Sequence, residues 1–139
     1  VTELHRSAAS LGFYGDDLDP DELTAGLGGV PTVGVRKGGI WLTSRGAEKI
    51  ASTGSWRIEA EYRSPGDLDG QVRALLAPLT GDFDIWRDFS TRFGGRIFAG
   101  AFLAEWNEGA RLEADTIAAL AERGLYFDLD IYAPEDTTE

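Results

Sequence analysis

The chain has 139 residues, 42% of them hydrophobic and 27% charged, and its 24 acidic against 13 basic side chains leave a formal net charge of −11. This much apolar surface excludes a disordered chain, and the composition excludes collagen-like and coiled-coil rods. The acidity argues against a general nucleic-acid binder, which needs a cationic surface for phosphate.

A chain of this length buries enough surface for one core, so a single domain over 1–139 is expected, with short flexible tails at both ends. Cysteine is absent, which removes disulfides, thiolate metal sites and a cysteine nucleophile. No apolar run reaches the ~20 residues of a membrane span, and residues 1–10 hold no signal-like hydrophobic segment. A cytoplasmic protein is the expectation.

In chain order, small and aromatic residues predict a strand over 8–14. Leu18-Asp19-Pro20-Asp21-Glu22-Leu23 then spells a helix start. Asp19 caps the first-turn amides, Pro20 suits the first helical position, Glu22 is placed to reach back as a capping box, and Leu18 is placed to pack on Leu23. Gly28-Gly29 stop the helix. A second strand is predicted over 32–37. The glycine-broken stretch 38–54 reads as a short strand at Ile40-Trp41-Leu42 and otherwise as loop. Trp56, Ile58, Ala60 and Tyr62 alternate with charged residues, the pattern of a half-buried strand.

Asp67 caps a predicted helix whose stripe is Leu68, Val72, Leu75, Leu76 and Leu79. Phe83, Trp86, Phe89 and Phe93 mark another, ended by Gly94-Gly95. Residues 96–106 are apolar at almost every position and predict a strand covered on both faces, with Trp106 in the core beside Trp56 and Trp86. A last helix over 114–123 is expected to turn Ile117, Leu120 and Ala121 inward. A strand over 126–133 carries Phe127, Leu129 and Ile131 on one face and Asp128, Asp130 and Tyr132 on the other.

The spacing from Leu18 to Leu23 recurs from Leu112 to Ile117, each with a following glycine and strand. Two pseudo-repeated β-α-β units are therefore expected, and right-handed crossovers put their helices on one face. The predicted fold is α+β: a mixed sheet of about five strands with three or four helices mainly on one face.

The order of motifs resembles a known bacterial family. Gly15-Asp16-Asp17-Leu18-Asp19-Pro20-Asp21-Glu22-Leu23-Thr24 opens it, followed by Leu27-Gly28-Gly29-Val30-Pro31-Thr32, Arg36-Lys37-Gly38, Ser55-Trp56 and the helix from Asp67-Leu68 to Leu79. Leu112 to Ile117 and the Asp-Leu-Asp-Ile-Tyr ending close it. This is similar to the domain of unknown function 4279 family. The resemblance covers about residues 11–133, implies a bacterial, cytoplasmic setting and a family-like core with those boundaries, and brings no activity or catalytic residues. One departure is Glu113, which stands where a small hydroxyl cap would fit the last helix better.

Chemistry is sparse. The single histidine, His5, precedes the first strand and is poorly placed for a triad. Gly26-Leu27-Gly28-Gly29 follows a helix, whereas a phosphate loop follows a strand. A cation site would be built on Asp16 and Asp17, joined by Asp128 and Asp130 if the two acidic segments meet across the sheet. Asp128 and Asp130 are expected on the less buried face, paired with Arg36 or Lys37. No metal or other cofactor and no catalytic residue is assigned.

Trp41, in a locally basic and glycine-flanked segment, is the candidate exposed anchor. The reading is a non-enzymatic interaction domain, in its sharper form an acidic immunity-type protein for a basic partner. Its contact surface would comprise Arg36, Lys37, Trp41, Asp16, Asp17, Asp128 and Asp130. The alternative is a small hydrolase or ligand-binding enzyme using paired carboxylates. No nucleic-acid or membrane partner is expected, and an exposed edge strand could support a homodimer.

Overall fold

The computed structural model describes residues 3–135. Its eleven elements run β1 (Arg6–Gly15), α1 (Pro20–Leu27), β2 (Val33–Val35), β3 (Ile40–Leu42), β4 (Glu48–Ile50), β5 (Gly54–Glu59), α2 (Leu68–Leu76), α3 (Phe83–Phe93), β6 (Arg96–Phe102), α4 (Ala114–Glu122) and β7 (Tyr126–Tyr132). The main sheet has the order β2-β5-β1-β6-β7, and β3 and β4 form a separate hairpin. β1 is antiparallel to both β5 and β6, and β6 is parallel to β7. The fold is α+β with a mixed five-stranded sheet, as the periodicities predict.

The two β-α-β units are present in different forms. β6-α4-β7 joins adjacent parallel strands. β1 and β2 are also parallel, since both run antiparallel to β5, but β5 lies between them. Side chains from all four helices join Ala9, Leu11, Phe13, Trp56 and Ile97 of the sheet in one buried cluster. Alternation along β1 fixes which face this is: Leu11 and Phe13 are fully buried, and each faces a cluster member, Ile97 and Trp56, across a neighbouring strand. The helices therefore share one face.

Local chemistry explains the helix ends. Asp19 accepts from the Asp21 amide at 3.0 Å, Asp67 from Gly70 at 3.0 Å, and Asp82 from Asp84 at 3.0 Å. Gly28 and Gly94 end α1 and α3 in the left-handed conformation that glycine adopts without a Cβ penalty. The capping box is not formed, because the Glu22 carboxylate binds Arg92 at 2.9 and 3.0 Å instead. α4 lacks a side-chain cap at Glu113.

Several expectations are corrected. Residues 43–54 are not all loop, since Glu48–Ile50 pairs with Ile40–Leu42. β5 stops at Glu59, so Tyr62 lies beyond it and is exposed. β6 stops at Phe102, which leaves Trp106 outside the core at 86% exposure. β6 also has a helix layer on one face only. In α4 the buried positions are Thr116 and Leu120, while Ile117 and Ala121 face out. The bond from Arg73 Nε to Thr116 Oγ1 at 2.9 Å turns Thr116 toward α2. Ile117 therefore does not repeat the role of Leu23.

Candidate functional site

The strand alternation that buries Leu11 and Phe13 leaves Ala8, Ser10, Gly12 and Tyr14 on the opposite, helix-free face. Register places Arg57 and Glu59 of β5, Arg96, Phe98, Gly100 and Phe102 of β6, and Asp128, Asp130 and Tyr132 of β7 on that face too. Glycine and alanine in the centre and long side chains at the ends give this surface its shape.

At one end, Phe102 and Tyr132 stack with ring centroids 4.6 Å apart and planes within 6°. Tyr62 packs on Phe102 at 5.6 Å. The Arg6 guanidinium lies 4.5 Å from the Phe102 centroid and 4.8 Å from that of Tyr62, an arrangement the ring quadrupoles favour. At the other end, Arg96 lies 5.1 Å from the Tyr14 ring and 5.4 Å from Phe98, and binds Asp128 at 3.1 Å.

Gly12 and Gly100 make room for these rings. A Cβ on Gly12 would stand 2.7 Å from the Tyr14 hydroxyl, and one on Gly100 would stand 3.2 Å from the Phe102 ring. Between the two clusters is a shallow hollow of about 230 Å³, floored by Ala8, Ser10 and Gly100 and walled by Phe98 and Glu59.

The Tyr132 hydroxyl donates to Asp130 at 3.0 Å. That bond and the carboxylate charge raise the phenol pKa above its ordinary value, so Tyr132 stays protonated and offers a neutral ring beside a fixed negative charge. Asp130 has no ion-pair partner among the described residues. Such a pairing of aromatic planes with exposed acid suits recognition of cationic side chains.

The seven sequence-predicted residues divide into separate places. Arg36 pairs with Asp19 at 2.9 Å, and Lys37 with Asp16 at 3.2 Å. The Lys37 hydrogen bond, then that from Thr53 at 3.0 Å, then the lysine charge hold the Asp16 carboxyl below its usual value. Asp17 is exposed in the turn after β1. Asp128 and Asp130 therefore do not pair with Arg36 or Lys37, because β2 and β7 are opposite edges of the sheet.

Nor do the two acidic segments meet. Asp128 is level with Phe98 and thus with Ser10, whereas Asp16 lies six residues further along, roughly 20 Å at strand rise. The carboxylates that a four-acid cation site would gather are held apart.

Trp41 is half-buried rather than free. Its hairpin folds over the helix-free face, where the Arg57 guanidinium lies 5.1 Å from its ring and Tyr14 and Ser55 share the adjoining hollow. Other polar groups are committed to structure. Ser7 Oγ bonds Gln71 and accepts from the Asp67 amide, and the His5 amide donates to Glu108. Arg6, Tyr62, Arg96, Phe102 and Tyr132 were not singled out from the sequence. For Arg96 and Phe102 the signal is the period-two separation in β6, with Arg96, Phe98, Gly100 and Phe102 on one side and Ile97, Ala99 and Ala101 on the other.

Among the described residues no helix is long and apolar enough to cross a membrane. A family model, Domain of unknown function (DUF4279), matches residues 2–134, and the chain belongs to that family. No curated protein and no solved structure matches it.

Proposed function

For this member of the DUF4279 family we propose a non-enzymatic role: it is an interaction domain that takes a cationic protein partner on the helix-free face of its sheet. The observation that carries the reading is the end of the helix-free face away from the Trp41 hairpin, where stacked Phe102 and Tyr132, with Tyr62 beside them, stand next to Asp130, which forms no ion pair among the described residues. Aromatic anchors rimmed by charge are what interfaces are built from. A net charge of −11 would add long-range steering of a basic partner. An immunity-type protein that neutralises a basic toxin in the bacterial cytoplasm is the sharper form of the proposal.

Capture from a native lysate tests it. The immobilised chain should retain a basic protein at low salt and release it at high salt, and Asp130→Lys should abolish retention. Retention that neither salt nor the charge reversal changes would overturn the reading.

A further inference from the structure

β7 is an edge strand, and its two sides differ in chemistry. The Tyr126 amide donates to Gly95 and the Tyr132 carbonyl accepts from Leu103. Residues 126, 128, 130 and 132 therefore turn their peptide groups toward β6. Phe127, Leu129 and Ile131 turn theirs outward, where no strand pairs with them among the described residues. An open row of donors and acceptors is a template for another strand.

The side chains state what that strand must look like. On the helix-free face the edge presents Asp128 and Asp130. On the helix face it presents Leu129 and Ile131, which are 47% and 64% exposed although they align with buried Ala99 and Ala101. A strand laid alongside would cover both aliphatic residues and set its other face against the two acids.

A second copy of β7 fits badly. In an antiparallel self-pairing, outward-facing residues must oppose outward-facing residues. A register centred on Leu129 then places Asp128 opposite Asp130 of the other copy, and one centred on either acid places it opposite itself. Like charges directly opposed are destabilising.

We propose that the outer edge of β7 accepts an extended segment of the cationic partner as the sixth strand of the sheet, a segment in which Lys or Arg alternates with aliphatic residues. Main-chain hydrogen bonds to Phe127, Leu129 and Ile131 supply affinity and the alternation supplies specificity. This rests on the cationic-partner reading and goes beyond it by fixing the mode of contact.

The test uses the full chain with two synthetic heptapeptides of one composition. One alternates Lys and Val; the other groups its Lys residues at one end. The alternating peptide should bind about tenfold more tightly. It should also slow hydrogen exchange at the Phe127, Leu129 and Ile131 amides, and Asp130→Lys should remove both effects.

Equal binding of the two peptides with no new protection at those amides would overturn strand addition while leaving the cationic-partner reading intact. Binding of neither peptide at low salt would overturn both. Protection of the same three amides without peptide, rising with protein concentration, would assign the edge to a second copy and overturn the proposal.

Discussion

Asp69 on α2 accepts a hydrogen bond at 2.9 Å from the backbone amide of Glu113, the N-cap residue of α4. In a capping box an acid three residues into the helix reaches back to this amide. Here the acid comes from another helix. Asp69 also binds Arg73 at 2.9 Å, and Arg73 bonds Thr116 of α4, so one carboxylate joins the starts of two helices.

Asp69→Asn is therefore expected to lower stability by about 1 kcal/mol at neutral pH, read from urea unfolding. Burial alone would raise the Asp69 pKa, but the Thr116 hydroxyl, the Glu113 amide and Arg73 outweigh it and hold it below 3.8. A carboxyl depressed in the native state stabilises fully above its ordinary value, and that contribution is lost as pH falls through the native pKa. The gap between Asp69→Asn and the parent should thus close below pH 3.8. A gap that persists in acid would contradict the assignment.

Trp56 is fully buried, and its indole N–H donates to Thr24 Oγ1 at 3.1 Å. Thr24→Val keeps the shape and removes the acceptor. The expected loss is about 1–3 kcal/mol, the cost of an unsatisfied buried donor, and Thr24→Ser should recover most of it.

Gly95 is packed closely where α3 turns into β6. A Cβ there would lie 2.7 Å from the Phe13 ring, 2.7 Å from Ser90 Oγ and 2.8 Å from Leu125. Gly95→Ala should destabilise by about 1–3 kcal/mol through overpacking. In thermal melts of the two variants, Gly81→Ala, at a position with nothing within 4 Å, should be nearly neutral.

Tyr132 provides a direct probe of the helix-free face. With its phenol pKa raised by Asp130, Asp130→Asn should shift its titration to lower pH in carbon-13 tyrosine spectra. An unchanged midpoint would show that the two groups are not bonded.

The elements were legible where side-chain chemistry is local. Asp19, Pro20 and Gly28 delimit α1 because caps act within one turn, and the alternation at Trp56 and Ile58 marks the side of β5 that meets the core. What could not be read was set by pairing at a distance. Glu22 satisfies the capping-box pattern, yet Arg92, seventy residues away, takes its carboxylate. Ile117 fits the helical stripe, yet Thr116, bonded to Arg73 of α2, takes the buried position instead. The candidate surface was partly legible, since Asp128 and Asp130 were singled out and lie on it. Arg36 and Lys37 are expected from sequence to pair with Asp128 or Asp130, whereas the fold returns the chain so that Asp19 and Asp16 take them. The stack of Phe102 on Tyr132 depends on β6–β7 register, which periodicity does not encode.

The central claim is that the helix-free face is the contact surface. A photo-crosslinking phenylalanine analogue placed in living cells at position 132, and separately at exposed Val30 beside Leu75 and Leu79 on the helix side, tests it most directly. The account predicts one basic protein captured from position 132 and none from position 30. Capture of the same protein from position 30 alone would contradict it.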